Sequence, residues 1–598
     1  MCQNRPNNGR QRQAISVDRA DNWSARWAHF MNRYHARRAG RGNAATAFVS
    51  QPEPRTIGGF ARGRQLMAGN FLFAGVLVED KSSSIWDIQT PGADYEAEIH
   101  GFTWLDDLAA VGDKKAMDTA QLWLFDWIGR YGRGHGAGWT PDLTGRRLIR
   151  WINHAIFLLN SQKSEASAQY YQSLGRQTTF LSRRWKAATP GLPRFEALTG
   201  LIYAGLALEG MGQHVAPAVL ALSHECAREV DAEGGISTRN PEELLDVFTL
   251  LNWAASALVE AGRRAEPAHL DAIERIAPTL RALRHADGAL ARFHGGGSGI
   301  EGRLDHALAA SGIKSPASRG LSMGFVRLGA GRTSLILDAA SPPVRFASHN
   351  AHASTLAFEL TSGRRPLIVN CGSGTSFGPD WRRAGRATAS HSTLALDGIS
   401  SARLGRARLL GGGNLELLTD APEDVRVQYI SEKGAEGAIV GHDGYRGSHG
   451  LTHIRKVELA DTGRGVAGED TLAAIETIDQ GIFERVLDTS GLTGVGFKAR
   501  FHLHPDVDAG LDMGGTAVSM ALKSGEIWVF RHDGKAELSL EPSVYLEKGR
   551  LKVRATKQIV LSARAVDYAT RIRWTLAKAH ETPNAVRDLV QEEIDLTA

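Results

Sequence analysis

The sequence predicts a multidomain α and β protein, helical in its first half and an antiparallel β-sandwich in its second. Three observations lead there. Up to about residue 310, apolar residues recur at spacings of three and four, the period of a helix with one buried face. From Ser322 onward they alternate with polar residues, the period of a strand. A chain of 598 residues is also too long for one hydrophobic core, so the change of period marks a change of domain.

Residues 1–57 form a basic N-terminal segment, crowded with arginine between Arg5 and Arg41. A solvated tail is the expectation for such a run, with docking of an acidic partner as the alternative. Residues 58–310 are the helical domain. Helical periods cover 102–110, 116–131, 146–160, 166–185, 195–211, 216–230, 241–261 and 268–283, separated by short Gly-, Pro- or Asp-containing breaks. A long series of helical hairpins stacks as a solenoid or closes as a ring. No fixed repeat length is visible, which favours a closed toroid or an irregular bundle. Ten of the thirteen tryptophans lie at or before Trp253, where each either packs in the helical core or stacks on a sugar ring.

Residues 320–575 read as the sandwich. Strand-like alternation covers 324–328, 333–338, 425–430, 452–459, 497–504, 527–530, 551–554 and 559–563, joined by Gly/Asp turns and with no helix between them. Residues 576–598 make a C-terminal tail, acidic after Thr582, expected as a terminal helix or a fraying end.

Composition narrows the class. A hydrophobic content of 42% and a charged content of 23% describe an ordinary globular protein, and a net charge of +5 is small for this length, so nucleic acid is not an expected partner. Three cysteines (Cys2, Cys226, Cys371) exclude a disulfide framework, and no CxxC pair marks a zinc knuckle. No apolar run is long enough to span a bilayer, and the first thirty residues lack the apolar core of a secretory signal. The expected location is therefore the cytoplasm, and nothing in the sequence fixes the oligomeric state.

Chemistry concentrates between His349 and Asp397. His349, His352 and His391, with Asn370, hang on apolar segments separated by a loop carrying Trp381, Arg382, Arg383 and Arg386. Strands hold side chains rigidly enough to bring imidazoles together. Residues two apart share a face, so His349 and His352 cannot both point one way from a regular strand. His349, nearer the preceding turn, is the better candidate for reaching a cleft, leaving His352 and His391 to pair inward.

Three segments resemble the heparinase II/III-like family of polysaccharide lyases, and the resemblance runs from about Gly58 to Arg573. They are the run from Trp139 through Pro141, Arg146, Arg147 and Trp151 to Asn153; the run from Asp231 through Gly234 and Gly235 to Arg239, Asn240 and Pro241; and the His349–Asp397 region. The resemblance implies an (α/α) toroid followed by an antiparallel β-sandwich, with a sugar cleft between them. It implies β-elimination on an acidic, uronic-acid-containing polysaccharide. A base takes the C5 proton, a donor cluster or cation neutralises the carboxylate, and an acid protonates the leaving oxygen. It also implies a periplasmic location as the alternative, and in some members a structural zinc in the sandwich.

The sequence departs from the family at its chemical positions. The family tyrosine falls on Glu243, the stretch that supplies the carboxylate-binding Asn or His reads Gly191 to Glu196, and the metal-site Asp falls on Asn370. The expected catalytic residues are therefore His349, His391 and Glu243. The expected substrate contacts are Arg194, Arg239, Asn240, Trp139, Trp381 and Arg382. A structural zinc would sit on His352, His391 and Asn370, and no cofactor is otherwise required. A carboxylate replaces tyrosine as base only if burial lifts its pKa. Two functions follow: a lyase with a rearranged site, or a catalytically weak or inactive glycan-binding or assembly protein that keeps the cleft.

Overall fold

The computed structural model describes residues 8–579 apart from 42–44, 51–53, 82–83, 318–319 and 411–412, so the acidic tail lies outside the described residues. The helices of the first half are α1 (Asn8–Ala39), α2 (Phe60–Met67), α3 (Ala93–His100), α4 (Trp104–Val111), α5 (Lys114–Tyr131), α6 (Pro141–Asn153), α7 (Ala155–Leu159), α8 (Ser164–Arg184), α9 (Leu192–Ala207), α10 (Val215–Glu229), α11 (Pro241–Glu260), α12 (Pro267–Ala282) and α13 (Arg303–Ser311). Arg62 of α2, Asp106 of α4, Arg146 of α6, Glu196 of α9, Asp246 of α11 and Arg303 of α13 line one central cavity. These helices are therefore an inner ring. Packed outside it are α5 on α4, α8 on α6, α10 on α9 and α12 on α11, which makes the domain an (α/α) toroid.

Close approach inside the ring depends on two glycines. A Cβ on Gly145 of α6 would stand 2.3 Å from the carbonyl oxygen of Glu196, and one on Gly200 of α9 would stand 2.5 Å from Gly145. Without side chains at these points the two helices meet backbone to backbone, and that contact sets Arg146 against Glu196.

The basic N-terminal stretch corrects the solvated-tail expectation. Helix α1 buries Asn32, Ala36 and Ala39 at helical spacing, and Arg184 of α8 donates to Asn32 Oδ1 at 2.8 Å. Its other face exposes Trp23, Trp27 and Phe30, stacked one on the next. The single helix expected over 146–160 is interrupted at His154, between α6 and α7.

The second half is two antiparallel sheets packed face to face. In the nine-stranded sheet the order runs Glu537–Tyr545, Arg554–Ala565, Val495–Leu503, Arg365–Val369, Phe358–Ser362, Thr333–Asp338, Phe325–Ala330, Leu321–Ser322, with Leu394–Leu396 also paired to Val495–Leu503. In the eight-stranded sheet it runs Val425–Glu432, Ala435–Tyr445, Leu451–Ala460, Gly465–Ala473, Ala569–Lys578, Ile527–His532, Ala517–Ala521, Asp508–Asp512. The core between them includes Phe358, Phe501, Phe530 and Trp574; Phe358 and Phe530 stack on Trp574, inclined by 3° and 13°, and Phe501 meets Phe358 and Trp574 edge-on. Residues 551–553, expected as part of a strand, are irregular, and the strand begins at Arg554. A helix at Thr477–Thr489 interrupts what the sequence suggested was an all-strand run. Reciprocal bonds between Glu476 and Asp479 at its N-terminus explain its start. Among the described residues no helix is long and apolar enough to cross a membrane.

Candidate functional site

Where toroid meets sandwich there is a cleft of about 730 Å³. Three segments and Glu229, at the end of α10, build it: the Ala187–Phe195 stretch leading into α9, the Ile236–Val247 stretch containing the start of α11, and Phe346–Asn350 from the sandwich. Gly191, at φ +88°, lets the first of these turn sharply into α9. Asn240 starts α11: its side chain accepts from the backbone N–H of Glu242 at 3.0 Å and of Glu243 at 3.3 Å. Asn240 is therefore a helix cap and not a ligand contact. It aims the first turn, and with it Glu243, along the cleft wall. Burial pushes the Glu243 carboxyl up to about 7, and the neighbouring Asp246 and Glu196 add to the rise.

His349 lines the same cleft, but both its nitrogens are engaged. Nδ1 donates to the carbonyl of Phe346 at 3.1 Å, which leaves Nε2 to accept from Asn350 Nδ2 at 3.0 Å. Arg382 closes the chain by donating to Asn350 Oδ1 at 3.0 Å and to the His349 carbonyl at 3.2 Å. Arg382 thus positions the loop rather than a substrate. His349 is held neutral, with its pKa lowered first by burial.

His352 and His391 do pair inward, and His391 is too deep to touch a substrate. His391 is 0% exposed, its Nδ1 donates to the Ala387 carbonyl at 2.8 Å, and its Nε2 accepts from His352 Nδ1 at 3.0 Å. Burial pulls the His391 pKa down to about 4. In this arrangement the two imidazoles bond to each other rather than presenting two lone pairs to a metal. The lone pair of His391 already holds the His352 proton, and Asn370 Oδ1 already accepts from the Ser392 N–H at 2.9 Å. Among the described residues no three His, Cys, Asp or Glu side chains converge to hold an ion.

The two arginines expected to meet a carboxylate are both occupied. Arg194 donates twice to the Ala188 carbonyl, at 2.8 and 3.2 Å, and faces Glu225 at 3.4 Å, fastening the loop before α9. Arg239, strained at φ +51°, is buried at the domain boundary. It donates to the carbonyls of Met323, Gly324, Ala340 and Ser341 and to Asp338 Oδ1 at 2.6 Å. Trp139 is core: only 2% exposed, it packs edge-on against Phe180 and donates to the Tyr131 carbonyl at 2.8 Å. Trp381 is exposed on a short helix, Pro379–Arg386, and is not part of the cleft wall.

The central cavity of the toroid, about 330 Å³, adjoins the cleft, and Leu192 lines both. Six cations line it, each with a carboxylate partner: Arg55 with Glu260, Arg62 with Asp107, Arg146 with Glu196, Arg150 with Asp106, Arg303 with Asp246, and Lys548 with Glu242. The Arg146–Glu196 contact is bidentate, at 2.8 and 2.9 Å.

Sequence reasoning gave no role to four residues that shape the site. Asp338 was legible only as the end of a strand, yet it receives Arg239, Ser354 and, at 3.5 Å, faces His294. Asn350 and Phe346 carried no signal beyond their nearness to His349. Arg386, within the run ending Ala387-Thr388, fixes the loop by donating to the carbonyls of Ala351, Ser348 and Glu416 at 2.8 Å each.

Comparison with known proteins gives a consistent picture. Residues 312–575 match the family model described as heparinase II/III-like, C-terminal. The chain is 30% identical over 535 residues to the FtsZ-localized protein C of Caulobacter vibrioides, covering 87% of this chain and 88% of that protein. Its fold superposes on a crystal structure of heparinase III with a TM-score of 0.66 at 13% identity, covering 92% of this chain and 89% of the other. Heparan sulfate lyase HepC of Pedobacter heparinus gives a TM-score of 0.53 at 14% identity, covering 95% and 90%.

Proposed function

The chain belongs to the heparinase II/III-like family, and from that premise we propose that it is a non-eliminating member, an assembly protein that holds a glycan in the inherited cleft without cleaving it. One observation carries this reading: among the described residues, every lysine and arginine that lines the cleft or the adjoining cavity is already paired with a protein carboxylate. The cleft itself is lined by no lysine or arginine, and its charged side chains are Glu229 and Glu243. The cavity behind it has six cations, each already paired with a protein carboxylate. Elimination needs the enolate charge stabilised, and displacing a partly buried ion pair to supply that charge would leave the displaced carboxylate uncompensated. The relative matched along most of its length is named for localisation with FtsZ, not for cleavage of a sugar, and on this reading the present chain works with FtsZ, in the cytoplasm.

A second reading, β-elimination of an acidic polysaccharide with Glu243 as base, is favoured by the rise of that carboxyl to about 7, the range a general base needs. One experiment separates the two. Incubation with a panel of uronate-containing polysaccharides is followed by absorbance of the unsaturated uronate, alongside co-sedimentation with FtsZ polymer. The proposal expects co-sedimentation and a flat absorbance trace. A rise in absorbance that vanishes in Glu243→Gln establishes the lyase reading instead.

A further inference from the structure

We propose that the cleft selects a sugar bearing a free, protonated amine, with the Glu243 carboxylate as the partner of that amine. The inference rests on the glycan-holding reading above and specifies which glycan.

The wall chemistry points away from the anionic sugars that the fold otherwise suggests. A uronate entering the cleft would surrender water to face two carboxylates and no cation, a charge arrangement that costs free energy in a partly desolvated site. An ammonium entering the same space meets the opposite situation. Glu229 is already tied to Arg228, at 2.8 Å. His349 has no free lone pair, because Phe346 and Asn350 occupy its two nitrogens. Asn240 satisfies the first N–H groups of α11, so the Glu243 carboxylate is not consumed as a cap. Among the described residues Glu243 makes no ion pair with a lysine, arginine or histidine.

Among the described residues Glu243 is thus the carboxyl group of the cleft wall that has no charged partner, an arrangement that marks a binding position. Of the groups facing it, Asp246 from its own helix and Glu196 from α9 are acidic and raise its pKa further, while Thr238 from the preceding turn opposes the rise as a hydrogen-bond partner. Near neutral pH the carboxyl is part protonated, so an ammonium ligand drives it to the ionised form and releases a proton. Phe346 adds a surface for the sugar itself. It is 37% exposed and stacks on His349 at 5.3 Å with the rings inclined by 25°. That holds it open toward the cleft as a platform for a pyranose face.

The test is calorimetric titration of the full chain with three sets of oligosaccharides of equal length: glucosamine oligomers, their N-acetylated counterparts and uronate oligomers. The expected result is binding of the glucosamine oligomers about tenfold tighter than the N-acetylated ones, with proton release measured by repeating the titration in buffers of different ionisation enthalpy. Glu243→Gln should remove both the preference and the proton release, while Glu229→Gln keeps both. Equal affinity for amine and N-acetyl oligomers overturns the inference and leaves the glycan-holding reading standing. A preference that follows Glu229 instead of Glu243 also overturns it. Binding to none of the three sets overturns both.

Discussion

Arg239 of the helical domain and Asp338 of the sandwich meet at 2.6 Å, with side chains 10% and 0% exposed. The arginine also bonds four sandwich backbone carbonyls, at Met323, Gly324, Ala340 and Ser341, so the pair works as a bolt between the two halves of the molecule. The Arg239 guanidinium and His294 hold the Asp338 carboxyl well below the usual carboxylate range, against the opposing effect of its burial.

Removing one side of that pair leaves an uncompensated buried charge. Arg239→Ala is expected to destabilise the protein by ~3–5 kcal/mol, read as a fall in thermal midpoint or as separate unfolding of the two domains in calorimetry. Because the folded pKa of Asp338 is depressed, its contribution is present above the ordinary value of 3.8 and is lost as pH falls below it. Unchanged melting in Arg239→Ala would show that the boundary is held elsewhere.

Acid sensitivity should begin well above that point. Burial pulls the pKa of His391 to about 4, of His269 to about 4 and of His502 to about 3, from an ordinary 6.5. Between those values the unfolded chain binds protons that the folded one does not, so stability falls as pH drops below 6.5. Each histidine contributes roughly 1.4 kcal/mol per pH unit at most across that window. Denaturant unfolding followed from neutral pH downward should show the loss, and His391→Gln should reduce its slope. A flat profile down to the carboxylate range would contradict the assigned neutral state of these imidazoles.

Chelation offers a direct check on the histidine pair. With the lone pair of His391 taken by His352 and the Asn370 oxygen taken by Ser392, a strong chelator should leave the melting temperature where it was. A fall of several degrees, with zinc recovered in equimolar amount, would make these residues metal ligands after all.

Trp139→Ala should cost ~3–5 kcal/mol, the usual penalty for emptying a buried aromatic site, with unchanged sugar affinity per folded molecule. Lost affinity at an unchanged melting temperature would return Trp139 to ligand binding.

Much of the architecture was legible along the chain, because period is a local property. The 3.6-residue pattern of α5, α8 and α11 and the alternation at Leu451–Ala460 record which face of each element is buried. Strand alternation did not decide how the histidines sit, because none of the three lies on a strand: His349 is in the 3-10 turn Arg345–Asn350, and His352 and His391 are in irregular segments. The sequence also carried the replacement of tyrosine by Glu243, though not what that glutamate would experience.

What the sequence could not determine is commitment, meaning which polar groups are already spent on the protein itself. Arg194, Arg239, Asn240 and Trp139 are the residue types a sugar site uses, yet a carbonyl at Ala188, a carboxylate at Asp338, the first turn of α11 and an aromatic core claim them. Those partners lie up to about a hundred residues away in sequence. The raised pKa of Glu243 likewise comes first from burial, which has no local signature, and then from Asp246 one turn further along its own helix and Glu196 on a neighbouring one. Residue type and spacing fix what a side chain is able to bond; only the packed chain decides, by distance and desolvation, which of those bonds are already made.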